Sequence, residues 1–272
     1  MGKRLDFALG VLNGAIGQHL VRTANELATT MAVYRDGVSM TVAELTAPTA
    51  HLVVLVHGIM GTEHIWTFPD GSDYGTALEP LGMTPLRVRY NSGRAVADNG
   101  ASLSALLDEI VTTYPRVVES ITLVGHSMGG LVIRSALHEH SAWRALVHRA
   151  IYLGTPHRGA PLERAGKVVH RVLSMLDEPY TRLVADVADL RSDGMKDLGD
   201  VHPHPLAAHM KHHVVAGTLF EARLLHELLG DALVPLSSAT DGIEAPFIVR
   251  AGHNALAHHP TVRDQIVAWC RP

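Results

Sequence analysis

From His51 to Val56 the chain reads His-Leu-Val-Val-Leu-Val, with apolar side chains at consecutive positions instead of alternate ones. An alternating strand has one face in water. An unbroken aliphatic and β-branched run predicts a strand buried on both faces, as in the interior of a parallel sheet. Similar short runs recur at residues 85–90, 120–124, 150–153, 213–216 and 246–249. Between them, Leu103, Leu106, Leu107, Ile110 and Val111 mark one face of a helix, and Leu131, Val132, Ala136 and Leu137 mark another. Strands alternating with helices predict an α/β fold: a mostly parallel central sheet flanked by helices.

Two stretches depart from this alternation. Over residues 4–32, Leu5, Leu9, Leu12, Ile16, Leu20, Leu27 and Met31 fall at helical spacing, predicting an amphipathic helix broken near Gly14 and Gly17. Its apolar face predicts packing on the domain, with a membrane-surface or partner helix as the alternative. A turn at Arg35-Asp36-Gly37 and a short edge strand over 38–45 follow, so residues 1–45 form an N-terminal unit ahead of the main domain at 46–272. The second stretch, about 160–211, carries helical patterns at 162–176 and 180–190 but no strong strand. An insertion of that length at this point of a parallel sheet predicts a helical cap above the carboxyl edge, where ligands bind. Val168, Val169, Val172, Leu173 and Leu176 would give it an acyl-lined face or pack on the core.

The strand at 120–124 runs into Gly125-His126-Ser127-Met128-Gly129-Gly130 and then a helical pattern. Strand, sharp Gly-x-Ser-x-Gly turn and helix together make a nucleophile elbow. The serine takes a strained backbone conformation, and the glycines avoid collision with the adjoining strand and helix. A serine hydroxyl needs a base, and the base an orienting carboxylate. In this architecture they follow in the order serine, acid, histidine. His253, directly after the last strand, is the predicted base; His258 and His259 sit where the final helix begins. Asp231, in Gly230-Asp231-Ala232-Leu233-Val234-Pro235, is the predicted acid. Asp241 is the alternative, but Asp241-Gly242 reads as a plain turn. For the oxyanion, the N–H of Met128 is one predicted donor. That of Ile59, in His57-Gly58-Ile59-Met60-Gly61, is the other. His57 reads as a buried hydrogen-bonding residue.

Composition narrows the partners. A net charge of −4, from 27 acidic and 23 basic residues without like-charge runs, argues against nucleic acid. The lone Cys270 permits no intrachain disulfide. No apolar run reaches the roughly 20 residues that span a bilayer. The stretch after Lys3 and Arg4 imitates a secretion signal only until Asp6 and Asn13 interrupt it, so a cytoplasmic protein is expected. Among 19 histidines, His202, His204, His209, His212 and His213 raise a metal site. No cysteine or acidic set completes one, and neither a metal nor a cofactor is expected.

With these motifs on view, the chain resembles bacterial α/β-hydrolases of the lipase and esterase class, near PGAP1-like and triacylglycerol lipase-like hydrolases. The resemblance runs over about residues 50–270. Its carriers are the segment 56–62, Tyr90-Asn91-Ser92-Gly93-Arg94, the elbow, Leu153-Gly154-Thr155-Pro156-His157-Arg158-Gly159-Ala160-Pro161, 230–235, and His253-Asn254-Ala255-Leu256 with Pro260 and Val262. It implies hydrolysis of small-molecule or lipid carboxylic esters without a cofactor, supports Ser127, Asp231 and His253, and leaves a peripheral membrane contact and the oligomeric state open. His157 is expected to order the loop beside the site. Nothing matches the membrane spans of the eukaryotic GPI inositol-deacylase after which the PGAP1-like group is named, so GPI chemistry does not transfer. Two other functions use the same residues: acyl transfer to an alcohol, amine or thiol, and non-catalytic binding of a lipid or partner.

Overall fold

In the computed structural model, which describes residues 2–160, 192–200, 204–219, 231, 233–243 and 245–271, the apolar runs become neighbours in a single sheet. Its strands are β1 (Ala32–Arg35), β2 (Val38–Met40), β3 (His51–Val56), β4 (Met83–Arg89), β5 (Ser120–His126), β6 (Val147–Leu153), β7 (Lys211–Gly217) and β8 (Phe247–Val249). They lie in the order β2-β1-β4-β3-β5-β6-β7-β8. Pairing is parallel from β4 through β8, and β1 is antiparallel to both of its neighbours. Helices α1 (Lys3–Arg22), α2 (Tyr74–Leu78), α3 (Val96–Thr113), α4 (Met128–Ala136), α5 (Asp193–Asp197), α6 (Leu236–Thr240) and α7 (Pro260–Cys270) surround it. This is the α/β-hydrolase arrangement.

The unbroken run in β3 has the cause its pattern predicts. Leu52, Val54 and Val56 enter one core with Leu103 and Leu107 of α3 and Leu131 and Val132 of α4. Val53 and Leu55 enter the opposite core with Trp66, Tyr74 of α2, and Val262 and Ile266 of α7. Both faces are therefore dry. Each fully buried aliphatic side chain contributes on the order of 1.5–3 kcal/mol relative to exposure. Among the described residues, no helix is long and apolar enough to cross a membrane.

The N-terminal unit differs in detail from its pattern. Helix α1 ends at Arg22, kinks at Ile16 and does not continue to Met31. Ala24 takes a left-handed φ of 50°, and Asn13 holds the next segment to the helix side by donating to Leu27 O and accepting from Thr29 N–H. Residues 32–35 then form β1, a strand not expected between the helical pattern that ends at 32 and the turn expected from Arg35; Arg35 is its last residue, paired with Val38. Asp36 and Gly37, both at positive φ, turn it into β2. Two left-handed residues in succession match the right-handed twist of a hairpin. The edge strand expected over 38–45 stops at Met40, because residues 42–44 close a 3-10 turn in which Glu44 accepts from Thr41 N–H.

Gly10, Gly14 and Gly17, spaced to share one face of α1, are contact points and not only breaks. A Cβ on Gly14 would collide with the Met60 side chain and lie 2.7 Å from the Met60 backbone nitrogen; one on Gly10 would lie 2.9 Å from Gly61 O. Val11, Leu12, Ala15, Ile16 and Leu20 pack around Met60. Asp6 is tied in by a buried charge cluster: Arg89 at the end of β4 donates to Asp6 Oδ1 (2.9 Å) and to both carboxylate oxygens of Glu63 (2.5 and 2.6 Å). The Arg89 guanidinium also lies 4.3 Å over the Tyr34 ring. Because backbone sits on backbone here, Gly14→Ala is expected to destabilise the protein by about 1–3 kcal/mol. Urea unfolding measures this, and an unchanged midpoint would mean that α1 shifts freely over the 58–62 loop.

Most of the insertion predicted as a cap, including both helical patterns and the apolar positions between 168 and 176, lies outside the described residues. Within the described part, α5 follows Ser192, whose hydroxyl donates to Gly14 O of α1 at 2.7 Å.

Candidate active site

The parallel strands deliver their loops to one edge of the sheet: 57–62 after β3, Ser127 after β5, Gly154 after β6, Asp231 beyond β7 and His253 after β8. Residues placed at the carboxyl ends of neighbouring strands converge there.

Ser127 stands between β5 and α4 with φ 54° and ψ −127°. That strain persists only because the surroundings over-determine it. Its N–H donates to Leu153 O (2.8 Å), and its carbonyl accepts from Gly130 N–H (3.0 Å). The elbow glycines are required sterically. A Cβ on Gly125 would lie 2.6 Å from Gly130 Cα, and one on Gly129 would strike Val56 O and lie 2.5 Å from His57 O. Gly58 is equally constrained, since a Cβ there would lie 2.8 Å from Ser127 Cβ. The 58–59 turn therefore lies directly against the serine.

His253 and Asp231 are brought together. His253 Nδ1 lies 2.8 Å from Asp231 Oδ2, and His253 N–H donates to Asp231 O at 3.2 Å. Asp231 Oδ1 accepts from the N–H groups of Leu233 (3.0 Å) and Val234 (2.8 Å). Burial alone would raise this carboxyl, but the charge and hydrogen bond of His253 and the two backbone donors outweigh it, holding Asp231 below the usual carboxylate range. With Nδ1–H committed to the carboxylate, the free lone pair of the ring is on Nε2. That atom is buried and, among the described residues, has no hydrogen-bond partner. His253 and Ser127 line one cavity of about 340 Å³ with Gly58, Ile59 and Leu233.

Other histidines at the site are held neutral. His126 is driven down to about 3, by burial first and then by the neighbouring His253, so its Nε2–H donates to His253 O (3.0 Å). His57 is driven down to about 4 by burial; its Nδ1–H donates to Gly58 O (2.7 Å) and its Nε2 accepts from Tyr90 N–H (3.3 Å). It is the buried hydrogen-bonding residue its context predicts, and it is stacked on the Tyr90 ring. Met128 opens α4, where the first N–H groups of a helix have no partner within it. Ile59 lies between Gly58 and Met60. Met60 has a left-handed φ of 57°, and its N–H donates to Ser92 Oγ (2.9 Å).

The alternatives lie elsewhere. Asp241 pairs with Arg134 and Arg158, each at 2.9 Å, and Arg134 also contacts His157 Nδ1 at 2.8 Å. His157 thus joins a charged cluster under its loop. His259 caps α7 by accepting from Thr261 N–H. His204 stacks on His138, His212 meets Tyr152 OH, His213 stacks on Trp269 and His209 reaches Arg144 O. His202 lies outside the described residues, and among the described residues no group of three potential ligands converges.

Sequence reasoning missed two supports. The ring of His126 carries the backbone of His253, a link 127 residues long that no local pattern announces. Gly154, at φ 59°, lets the chain pass the Asp231–His253 pair; a Cβ there would lie 3.0 Å from Asp231 Oδ2 and 3.2 Å from His253 Nδ1. The signal was present in Leu153-Gly154-Thr155, where a glycine directly ends a buried strand.

Residues 87–197 match the model of the PGAP1-like alpha/beta domain family. In structure the chain is similar to the mature form of the lipase BlEst2 of Bacillus licheniformis, with a TM-score of 0.58 and 23% identity over 83% of this chain and 92% of that one. It is also similar to the esterase PF2001 of Pyrococcus furiosus, with a TM-score of 0.54 and 15% identity over 82% of each. An alpha/beta hydrolase fold protein of Chitinophaga pinensis gives a TM-score of 0.54 and 13% identity over 83% of this chain and 90% of that one. The chain has the α/β-hydrolase fold and resembles PGAP1-like domains and bacterial lipases and esterases.

Proposed function

We propose that the protein is a serine hydrolase of carboxylic esters, with Ser127 as nucleophile, His253 as base and Asp231 as the acid that orients it. One observation carries this reading. A strained serine and a buried imidazole nitrogen that has no hydrogen-bond partner among the described residues share a cavity, and the other nitrogen of that imidazole is bound to a buried carboxylate.

His253 Nε2 accepts the Ser127 hydroxyl proton as Oγ bonds to the ester carbonyl carbon, whose π electrons move to the carbonyl oxygen. The N–H groups of Ile59 and Met128 receive that oxyanion, helped by the positive end of α4. When the tetrahedral centre collapses, the bond to the alcohol breaks and His253 returns the proton to the leaving oxygen. Water, giving a proton to the same nitrogen, then bonds to the acyl carbon; the bond from that carbon to Oγ breaks, His253 returns the proton to Oγ, and the acid leaves. Asp231 remains ionised throughout and stabilises the imidazolium. The lipase and esterase neighbours favour an ester as substrate.

A fluorophosphonate provides the test. It is expected to add to the protein with one-to-one stoichiometry, on the peptide that holds Ser127, as located by mass spectrometry. Absence of an adduct, or an adduct on another residue, overturns the assignment.

A further inference from the structure

The cavity before Ser127 is not walled by the sheet loops alone. Phe7, from the first half of α1, lines it with Ile59, Ile65 and Leu233. Phe7 is 39% exposed, so a large apolar ring at the cavity is left partly uncovered by protein. Apolar area of this kind is what an aliphatic ligand covers.

The helix is fixed on both sides of Phe7. The preceding residue, Asp6, is 1% exposed and bonded to Arg89 and to His64 Nε2 (3.1 Å). His64 itself lines the cavity. Three residues after Phe7, Gly10 seats the helix on Gly61 and Thr62, where a Cβ would lie 2.8 Å from Thr62 Cγ2. The backbone that carries Phe7 therefore cannot move away from the cavity without breaking a buried ion pair or lifting α1 off the 58–62 loop.

We infer that α1 is part of the substrate site and that Phe7 determines acyl-chain selectivity, covering the distal methylenes of a medium-chain aliphatic ester. This rests on the reading of Ser127 as nucleophile. A cavity of about 340 Å³ is near the small end for ligand sites, which suits a chain of medium length. The inference assigns a role to the N-terminal helix, which the residues around Ser127 do not by themselves require.

The test compares kcat/KM for p-nitrophenyl acetate and p-nitrophenyl octanoate, which share a leaving group and differ only in the acyl chain. Phe7→Ala is expected to lower the octanoate value about 5–20-fold and the acetate value less than about twofold, because only the longer chain reaches the ring. Phe7→Leu should fall between Phe7→Ala and the wild type. Leu5→Ala, a neighbour that is 40% exposed and absent from the cavity wall, should leave the ratio unchanged. Equal losses on both esters, an unchanged ratio, or the same shift in Leu5→Ala overturns the role of Phe7. If Phe7→Ala does not fold, the ratio for Phe7→Leu decides. A wild type that takes up fluorophosphonate at Ser127 while Phe7 variants keep the wild-type ratio removes only this inference. A wild type that takes up none removes the nucleophile and this inference with it.

Discussion

Ser127→Ala is expected to lower kcat/KM for p-nitrophenyl esters by about 10⁴–10⁶-fold without lowering the unfolding temperature. The two halves of that expectation have separate causes. Without Oγ there is no atom to form the acyl-enzyme, and the remaining rate comes only from binding and oxyanion stabilisation. The fold does not depend on the hydroxyl, which makes no hydrogen bond among the described residues; the backbone contacts of Ser127 to Leu153 and Gly130 survive the change. Alanine retains the Cβ that packs against Gly58. Steady-state kinetics and a thermal melt on the same preparation check both halves. A residual rate within tenfold of the wild type would falsify the role given to Ser127.

The second large effect is on stability. Arg89→Met is expected to cost about 3–5 kcal/mol at neutral pH, because it leaves two carboxylates buried without their cation. Arg89, Asp6 and Glu63 are 5%, 1% and 2% exposed, so water cannot take over the role of the guanidinium. For a chain of this size the melting temperature should fall by roughly 10 °C. The pH dependence gives the effect a signature. Burial would raise the Asp6 carboxyl, but hydrogen bonds from Arg89 and His64 hold it below the ordinary carboxylate range. In the wild type Asp6 therefore contributes stability above its unfolded pKa, and that contribution is lost as pH falls through its lowered folded value. In Arg89→Met burial goes unopposed by the cation, the carboxyl titrates higher, and protonation relieves the variant as the medium becomes acidic. The gap between the two proteins should narrow from pH 7.5 to pH 5 in urea unfolding. A gap that is small and constant with pH would mean that the cluster carries little of the anchoring assigned to it.

What was legible in the chain depended on how local its cause was. The β3 run announced a strand dry on both faces because its alternate side chains enter two different cores. The elbow was legible because a serine at positive φ needs small neighbours within two residues. Asp231 and Asp241 were separated by chain position and turn chemistry, and the structure sets the first against His253 and the second against Arg134. Long-range causes left no local mark. Gly14 and Gly17 read as helix breakers, yet they are where α1 meets Met60 and Asn91. Strand β1 was missed because Leu27, 45% exposed, and Met31 fell by accident at helical spacing and carried the helical reading to residue 32, while Arg35 read as part of a turn, leaving too few residues between them to announce a strand. The ion cluster of Asp6, Glu63 and Arg89 joins three segments that no periodicity connects.

The sheet terminates in β2 and β8, each only three residues long. Both carry an outward apolar side chain, Val38 at 62% and Ile248 at 42% exposure, of the kind that invites another chain to add a strand. Three residues offer too short a ladder to template such growth, and Asp36-Gly37 turns the backbone away at the start of β2. Lengthening either strand by an insertion would extend that ladder and expose the protein to edge-to-edge aggregation, a hazard the parallel interior strands escape by being paired on both sides.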